Sequence, residues 1–536
     1  STAGLRDEKC EAQVSWETLA QWGEGLVALT GCLRGEVATA LLRGEKERAE
    51  GVLSALYDIF GRDLYLEVQD NGLQEQAIVN EALLDLASRF RVKAVATQNV
   101  HYALPQGRLL NDVVTAIRHT CTLAAADGLL RPSGGFHFRS PAEMAQLFAG
   151  FPELLRNTLA IADEVSFAID DLHFPLPDFA PSTGEDPFDC LERLTWAGAH
   201  DRYDKITARV RKQIRHELNI IRRLGLAPYF LLVHDIVQFA RSQEILVQGR
   251  GSAANSAICY CLAITSVDPI SMDLLFERFL SEERKEPPDI DIDIEHNRRE
   301  EVIQYVYERY GRDNAALVCN VVTYHMRSAV REVAKTLGFS QRRVERISRN
   351  LSDRMTHEEV LSDLALVGFD PQSPEVNLVV EIARSMIEMP RHLGIHPGGM
   401  VICAVPLTEK TSLERARMEK RTIIPWDKDD TADVGMIKMD LLGLGMLSCI
   451  SRAIKIVREW TGDHIDPATL DYGDQKVYDL MCRADTVGVF QIESRAQMST
   501  LPRMQPRNFY DIVVEIALIR PGPIQGDMVH PYLRRR

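Results

Sequence analysis

The sequence has no uninterrupted apolar run of the roughly 18 residues that a membrane-spanning helix requires. Its ten cysteines are scattered, and the one close pair, Cys259 and Cys261, has the spacing of neither a zinc site nor a disulfide framework. No signal peptide, internal repeat or low-complexity tract is present. These absences exclude membrane-spanning, disulfide-stapled and repeat proteins, and they favour a reduced, cytoplasmic compartment without a membrane partner.

Net positive charge is also lacking, because 77 acidic and 62 basic side chains give a net charge of −15. An acidic total does not exclude nucleic acid, since binding depends on where the charges lie. The window 325–350 contains two glutamates against a basic set of Arg327, Arg331, Lys335, Arg342, Arg343, Arg346 and Arg349. A local surface for DNA backbone is therefore compatible with the composition.

The length of 536 residues indicates three to four domains of about 150 residues each. Up to about residue 125, helical and strand patterns alternate, with a predicted helix over 76–90 and a buried strand over 93–100, which is typical of an α/β domain. A Pro-rich connection follows at 175–187, and residues 320–390 are predicted to be almost wholly helical. Because the chain has no initiator Met and ends abruptly in three arginines, we expect a piece of a longer protein.

The strongest local signal is the segment 287–296, PPDIDIDIEH. Two prolines cannot continue a helix, and the alternation after them predicts a strand with Asp289, Asp291 and Asp293 on one face and isoleucines on the other. Carboxylates crowded on one face repel one another, so bound cations would stabilise them. Mg²⁺ prefers oxygen ligands, and two such ions can serve phosphoryl transfer. The alternative is a solvent-facing acidic edge strand that discourages aggregation.

A second carboxylate lies in the segment 434–442, VGMIKMDLL. As a strand, this segment places Lys438 and Asp440 on one face and apolar side chains on the other. Paired beside the acidic strand, it could deliver Asp440 to the same metal ions and Lys438 to a phosphate. Alone, a Lys two residues before an Asp is commonplace, so the combination of the two segments carries the prediction.

A glycine-rich segment at 248–256, QGRGSAANS, is predicted to open a helix of small residues. Gly249 and Gly251 permit a tight turn whose backbone N–H groups face an anion, and Ser252 could add a hydroxyl donor. The spacing is not that of a P-loop. A strand-to-helix turn without any ligand is the alternative.

Basic side chains stand near these motifs. Arg278 and Arg284 lie between the glycine-rich segment and the acidic strand, where they could hold a polyphosphate or form ordinary surface ion pairs. A long basic helix is predicted over about 201–223, and its basic face is either solvated or directed at phosphates. The sequence alone does not decide between these interpretations.

The order of the motifs resembles that of the C-family bacterial DNA polymerases, the alpha subunits of DNA polymerase III. GRGSAANS is similar to the Gly-Ser motif of that family, PPDIDIDIEH to its PDxDxD motif, and IKMDLLGL to its KxDFLGL motif, with Leu441 and Leu442 in place of the usual pair. IHPGGMVI and the terminal RPGPIQGDMVHPYLRRR also match. WDKDD at 426–430 and the segments 300–313 and 487–511 resemble the error-prone, damage-induced branch more than the main replicase.

This resemblance implies a DNA-directed DNA polymerase that extends a primer 3′ end by two-metal nucleotidyl transfer, in translesion synthesis. The metal-binding catalytic carboxylates correspond to Asp289, Asp291 and Asp440, with Asp293 as a support. The implied cofactor is two Mg²⁺ ions, with Mn²⁺ as a substitute. Contacts to the incoming deoxynucleoside triphosphate correspond to Gly251, Ser252, Arg278, Arg284 and Lys438. The implied partners are primer-template DNA, deoxynucleoside triphosphates, a sliding clamp and accessory mutagenesis proteins.

The resemblance also implies an α/β and α fold in several domains. We expect the C-terminal part of a PHP (polymerase and histidinol phosphatase) domain at 1–157, a polymerase-β-like palm with a mixed sheet at 158–320 and 396–445, a helical thumb at 321–395, and the start of helical fingers at 446–536. Asn99 and His101 stand where other members have an Asp-x-His metal pair, and a neutral amide binds cations more weakly than a carboxylate. We therefore expect the PHP part to be a structural support.

Rival functions share parts of this pattern. A nucleotidyltransferase without a template would need the same metal ligands. A main replicative alpha subunit would carry the same motifs. A non-catalytic DNA-binding subunit would keep the aspartates as vestiges, which the intact alternation and Lys438 disfavour. A PHP-type phosphoesterase is disfavoured by Asn99.

Overall fold

The computed structural model of the chain describes residues 13–176, 184–280, 290–351, 357–366, 368–465, 467, 470–519 and 529–535. The chain divides into two compact units, which we name by their sheets. Within the described ranges, the small-sheet unit comprises 13–171 and Val321–Gly394, and the large-sheet unit comprises Leu172–Asn320 and 395–535. Among the described residues, no helix combines the length and the hydropathy needed to cross a membrane.

The first segment of the small-sheet unit alternates helices with short strands. In chain order these are α1 (Trp16–Gln21), β1 (Ala28–Leu29), α2 (Glu36–Leu42), α3 (Lys46–Phe60), β2 (Leu64–Gln69), α4 (Gln74–Phe90), β3 (Lys93–Thr97), α5 (Arg108–Arg118), α6 (Pro141–Leu147) and α7 (Pro152–Glu164). The strands form a parallel sheet in the order β1-β2-β3. The predicted helix over 76–90 and the predicted strand from Lys93 are confirmed, as is the α/β alternation.

The large-sheet unit begins with helices that lead into its sheet. The elements are α8 (Pro187–Arg202), α9 (Ala208–Arg223), α10 (Ala227–Ser242), β4 (Val247–Arg250), α11 (Ala257–Cys261), β5 (Asp291–Glu295), α12 (Arg299–Tyr310) and β6 (Ala315–Thr323). The prediction of one basic helix over 201–223 is wrong at its start. The chain leaves helical geometry after Arg202, and α9 begins behind Thr207, whose hydroxyl accepts a hydrogen bond from the Val210 N–H at 3.3 Å. The Pro-rich connection at 175–187 lies partly outside the described residues.

The second segment of the small-sheet unit is helical, as predicted. It contains α13 (Met326–Thr336), α14 (Gln341–Asn350), α15 (His357–Leu366) and α16 (Pro374–Ser385). Buried side chains such as Val330, Val379 and Val380 form one apolar core with Val113 of α5. This segment, expected to be a thumb, therefore shares its core with a helix from residues that we assigned to the PHP part.

The remaining elements complete the large sheet and add helices. They are β7 (Pro390–Ile402), β8 (Glu414–Arg415), β9 (Thr422–Ile423), α17 (Lys428–Asp433), β10 (Lys438–Leu444), α18 (Gly445–Thr461), α19 (Gln475–Cys482), α20 (Arg495–Met504), α21 (Phe509–Leu518) and α22 (Val529–Arg535). The predicted strand over 434–442 begins only at Lys438. The residues before it complete the turn after α17, where Gly435 has a φ of +71°.

Seven strands form the large sheet in the order β4-β5-β10-β7-β6-β9-β8. The sheet is mixed, because β5 and β10 are parallel whereas β4 and β7 run antiparallel to these neighbours. Its core includes Ile292, Ile294, Met400 and Leu441 together with apolar side chains of α8, α9 and α10. Helices therefore cover one side of the strands that carry the predicted carboxylates.

Candidate active site

Two predicted catalytic aspartates lie directly opposite each other in the large sheet. Asp291 is the first residue of β5 and Asp440 the third residue of β10, and the two are register partners on parallel strands. On the other side of β5, the antiparallel strand β4 sets Arg250 opposite Asp291. Side chains of residues that face each other across neighbouring strands interact on one face of a sheet. The fold therefore gathers these charged groups at one place.

The opposite face of the same strands is apolar. Ile290, Ile292 and Ile294 are fully buried, and Met439 and Leu441 on β10 are almost fully buried. The predicted alternation is thereby confirmed. Burial of each such side chain stabilises the fold by about 1.5–3 kcal/mol, which holds both strands firmly and fixes the positions of their aspartates.

Two basic side chains partly neutralise the aspartates. Lys438 Nζ lies 2.8 Å from Asp440 Oδ2, and Arg250 reaches two carboxylates, with Nη2 3.4 Å from Asp291 Oδ2 and Nε 3.1 Å from Asp293 Oδ2. Three carboxylates face two cations in this group. The excess of negative charge favours additional positive charge at this face.

Asp293 is the most deeply placed of the described aspartates of β5, with 6% of its surface exposed. Burial raises the pKa of its carboxyl, and the neighbouring guanidinium of Arg250 opposes that rise. Its contact with Arg250 Nε orients the guanidinium toward Asp291. Asp293 therefore supports the group through Arg250.

The strand β7 borders Asp440 on its other side, where Gly399 is the register partner of Asp440. His396 Nδ1 accepts hydrogen bonds from the N–H groups of Gly398 at 3.2 Å and Gly399 at 2.6 Å. It therefore does not donate to Asp440 Oδ1, which lies 3.7 Å away. A side chain on Gly399 would begin 2.8 Å from His396 Nδ1, so glycine is required for this approach. Among the described residues, Asp440 Oδ1 is buried and receives no hydrogen bond.

The glycine-rich turn runs beside Asp291. Gly251 has a φ of +70°, and a side chain added there would begin 3.9 Å from Asp291 Oδ2. The prediction that this segment opens a helix of small residues is confirmed, and the helical structure forms in two parts. Residues Gly251–Asn255, including Ser252, form a 3₁₀ turn, and α11 begins only after Ser256, whose hydroxyl caps it by accepting from the Cys259 N–H at 3.1 Å.

A buried carboxylate holds the start of α11 in place. Glu217 of α9 is fully buried and accepts hydrogen bonds from Ser256 Oγ at 2.8 Å and from the N–H groups of Ala257 at 3.0 Å and Ile258 at 3.1 Å. Gln213 Nε2 donates a fourth hydrogen bond at 2.9 Å. Burial raises the pKa of this carboxyl, and the hydrogen bonds oppose the rise. Glu217 thus anchors the residues that immediately follow the glycine-rich turn.

The remaining predicted site residues divide into two groups. Arg278 is exposed on the short turn Phe276–Arg278, which lies against the turn Gly251–Asn255. Asp289 and Arg284 lie outside the described residues. Within the described ranges, no group of three or more His, Cys, Asp or Glu side chains is arranged to hold a metal ion, and those ranges omit Asp289.

Sequence reasoning missed several residues that shape this site. Arg250 stands inside the quoted GRGS motif, yet its contact with two aspartates depends on the pairing of β4 with β5. His396 stands inside IHPGGMVI, a segment that matches the family as a whole but gave no role to the histidine. Arg299 donates from Nε to the carbonyl of Leu441 at 2.6 Å and also contacts the carbonyl of Pro397. No sequence pattern pointed to Arg299.

The chain matches three protein-family profiles. Residues 189–443 match the bacterial DNA polymerase III alpha NTPase domain, residues 446–536 match the bacterial DNA polymerase III alpha subunit finger domain, and residues 1–71 match the PHP domain. The two polymerase profiles together include every described residue of the site. The predicted family is thereby confirmed.

Curated relatives agree with these profiles. The chain is 48% identical to proteins named error-prone DNA polymerase from Mycolicibacterium paratuberculosis and Mycobacterium tuberculosis, over 95% of this chain and 46% of each relative. It is 45% identical to the error-prone DNA polymerase of Bradyrhizobium diazoefficiens, over 99% of this chain and 46% of that protein. The chain thus spans about half the length of these relatives. It belongs to the bacterial DNA polymerase III alpha subunit family.

Proposed function

We propose that this chain carries the catalytic centre of a DNA-directed DNA polymerase that extends primer 3′ ends in error-prone, damage-induced synthesis. The register of β5 and β10 carries the proposal, because it sets Asp291 opposite Asp440 with Gly251 beside them. Membership of the alpha family supports the reaction, and the relatives named error-prone DNA polymerase support the branch. Since the chain spans 46% of such a relative, the activity is proposed for the full-length protein.

Divalent cations are the cofactor that this group of side chains would hold. The candidate ligands Asp289, Asp291 and Asp440 offer only carboxylate oxygens, which hard cations prefer. Asp440 Oδ1 supports the fit, because it is buried and, within the described ranges, accepts no hydrogen bond. We assign two Mg²⁺ ions to these ligands, with Mn²⁺ as a substitute. Bound ions would supply a lowered pKa at the primer hydroxyl and neutralising charge for the triphosphate.

The chain's own basic and glycine residues would bind and orient the triphosphate. Lys438 and Arg250 lie on the carboxylate face, where they neutralise the aspartates. Once cations occupy the carboxylates, these two basic groups are available to phosphate oxygens, whose charge they stabilise. The resemblance assigns Gly251, Ser252, Arg278, Arg284 and Lys438 to the triphosphate, and we add Arg250 to this set.

The domain assignment follows the family order. We assign the C-terminal part of the PHP domain to 1–157, the palm to 158–320 and 396–445, the thumb to 321–395, and the first part of the fingers to 446–536. The basic window 325–350 supports the thumb assignment, since Arg and Lys side chains bind DNA backbone without reading sequence. Val344 and Ile347 are buried, so the apolar face of α14 packs inward and its basic face is left for solvent or DNA.

The partners follow from the same reaction. Primer-template DNA and deoxynucleoside triphosphates are the substrates that a templated polymerase requires. A sliding clamp and accessory mutagenesis proteins are assigned by resemblance to the error-prone branch. An acidic protein attracts DNA weakly outside its cleft, so tethering by a clamp would raise the effective concentration of the primer end.

Primer extension by the full-length protein tests the proposed function. We expect incorporation of the nucleotide complementary to each template base in the presence of Mg²⁺, and extension across an abasic site when the clamp is present. Incorporation that ignores the template would instead identify an untemplated nucleotidyltransferase. Absence of incorporation with every divalent cation would favour a non-catalytic DNA-binding subunit, and failure only at the abasic site would favour a main replicative subunit.

Gly251→Ala should weaken nucleotide use. The left-handed backbone at a φ of +70° strains an alanine by about 1 kcal/mol, and relief of that strain would move the turn beside Asp291. We expect kcat/KM for the incoming nucleotide to fall by about tenfold, since small misplacements at a reacting centre are costly. Steady-state single-nucleotide incorporation measures the effect.

Gly225→Ala is the matched control for this substitution. Gly225 has a φ of +66° between α9 and α10, and a side chain there would meet open space. The two variants should lose similar stability, but only Gly251→Ala should lose nucleotide efficiency. Equal kcat/KM values for the two variants would contradict the assigned role of the turn.

A further inference from the structure

The strand β10 changes its neighbours at Asp440. Its register with β7 ends at Asp440, whereas its register with β5 begins there and continues to Leu444. Of the described residues of β10, Asp440 is therefore the one with partners on both sides, Asp291 on β5 and Gly399 on β7. Beyond Asp440, in the described part of the sheet, no ladder joins β10 to β7. Backbone groups between these two strands therefore need other hydrogen-bond partners.

Arg299 provides such a partner. It is the first residue of α12, and its Nε donates to the Leu441 carbonyl at 2.6 Å while its Nη2 donates to the Pro397 carbonyl. Pro397 belongs to β7 and has no N–H, so it cannot donate a hydrogen bond that would continue the ladder to β10. One guanidinium therefore bridges the two strands at the place where the ladder between them ends.

The surroundings fix the Arg299 side chain. A side chain on Gly443 would begin 3.2 Å from Arg299 Cδ and 2.8 Å from His296 Nδ1, so glycine gives the arginine room to lie along β10. Glu300, the next residue of α12, binds the guanidinium of Arg421, whose side chain is only 7% exposed. The start of α12 is therefore held in place while Arg299 reaches both strands.

Arg299 is also a cation close to the carboxylates of the site. Burial lowers its pKa and repulsion from Arg421 lowers it further, whereas attraction to Glu300 and Asp440 raises it. A guanidinium keeps its charge at physiological pH. Its charge repels any further cation that binds at Asp440, whereas correct placement of the Asp440 carboxylate favours that cation. The two effects of Arg299 on cation binding therefore have opposite signs, and a measured affinity can distinguish them.

We propose that Arg299 is a positioning residue that holds the Asp440 carboxylate at the spacing from Asp291 which a divalent cation needs, and thereby raises the affinity of the site for that cation. It acts through the backbone of Leu441, which follows Asp440 directly, and through Pro397 on the neighbouring strand. Mg²⁺ demands a near-ideal geometry of its ligands, so a small displacement of one carboxylate is costly. This inference rests on the proposed function, because it requires the carboxylates to bind cations.

Titration of the full-length protein with Mn²⁺, followed by electron paramagnetic resonance of the free ion, tests the proposal. The Mn²⁺ binding that is lost in Asp440→Asn defines the carboxylate site. We expect the dissociation constant of that site to rise about tenfold in Arg299→Met, which keeps an unbranched stem but removes the donors that orient a ligand strand. Arg299→Lys keeps the charge and can donate to one carbonyl at a time, so its dissociation constant should rise less.

Arg298→Met is the matched control. Arg298 precedes Arg299 in the chain and donates to the Gln243 carbonyl at 2.8 Å and to Glu301, so the control removes an equal charge and comparable contacts at a neighbouring position. This variant should bind Mn²⁺ within about twofold of the unaltered protein, because it leaves the contacts of β7 and β10 intact. A purely electrostatic role of Arg299 predicts the opposite sign, with tighter binding in Arg299→Met.

The outcomes separate this inference from the proposed function. Unchanged or tighter Mn²⁺ binding in Arg299→Met would overturn the positioning role and leave the metal site intact. If Asp440→Asn lost no Mn²⁺ binding, the assignment of cations to the carboxylates would fail, and the role of Arg299 would fail with it. If Arg299→Met did not fold, Arg299→Lys would decide, since an affinity equal to that of Arg298→Met would overturn the proposal.

Discussion

Asp291→Asn is expected to lower the rate of primer extension by the full-length protein at least about 1,000-fold, equivalent to about 4 kcal/mol of transition-state stabilisation. The amide has nearly the shape of the carboxylate, so the pairing of β5 with β4 and β10 should persist. What is lost is the negative charge that would bind a cation opposite Asp440. Rapid-quench measurement of single-nucleotide incorporation at saturating Mg²⁺ measures the effect.

The control for this substitution makes the same change, aspartate to asparagine, at a position away from the site. Asp429→Asn removes an equivalent charge on α17, where the side chain is 80% exposed. Extension by that variant should remain within about twofold of the unaltered protein, as is usual for surface positions. If Asp291→Asn extended primers at a rate within tenfold of the control, that result would contradict the catalytic assignment. Asp440→Asn should fail as severely as Asp291→Asn, because both strands contribute to one centre.

The sequence predicted the strands of the site well because period-2 alternation is a local property. Ile290, Ile292 and Ile294 had to face a core, and the aspartates between them had to face away. The pairing of β5 with β10 could not be predicted in this way, since no local rule specifies which strands become neighbours. That prediction rested on the order of the motifs, and the register of Asp291 with Asp440 agrees with it.

The supporting contacts could not be predicted because they join distant parts of the chain. Arg250 meets Asp291 and Asp293 only through the antiparallel register of β4 and β5, and His396 approaches Asp440 only because β7 pairs with β10. The start of α11 was not specified by the sequence for a similar reason. Its position depends on a carboxylate from α9, which is 39 residues away from Ser256 in the chain.

The position of Glu217 in the sequence indicates a buried carboxylate, although most of its charged neighbours are basic. It stands three residues after Ile214 and four before Ile221, on the apolar stripe of α9, where both isoleucines are fully buried. A charged side chain on such a stripe is either hydrogen-bonded or ion-paired inside the protein, or it turns toward solvent. The structure shows the first outcome, with four hydrogen-bond donors around the carboxylate.

Glu217→Ala is expected to reduce the free energy of unfolding of the large-sheet unit by about 3–5 kcal/mol, because it leaves buried donors without an acceptor. The N–H groups of Ala257 and Ile258 would lose their partner, and so would Ser256 Oγ. Hydrogen exchange should accelerate first in α11 and the turn Gly251–Asn255. Exchange measured by mass spectrometry, together with denaturant unfolding, gives the local and global effects.

Glu217→Gln separates the hydrogen bonds from the side-chain volume. Its single carbonyl oxygen can keep the Ala257 N–H, but its amide group meets the Ile258 N–H donor to donor, so we expect a smaller loss of about 1–2 kcal/mol. Glu419→Ala, at an exposed position of the same unit, should change stability by less than about 0.5 kcal/mol. If Glu217→Ala matched Glu419→Ala, the carboxylate would not anchor α11. If exchange in α11 rose while nucleotide incorporation stayed unchanged, the turn would not need that anchor for catalysis.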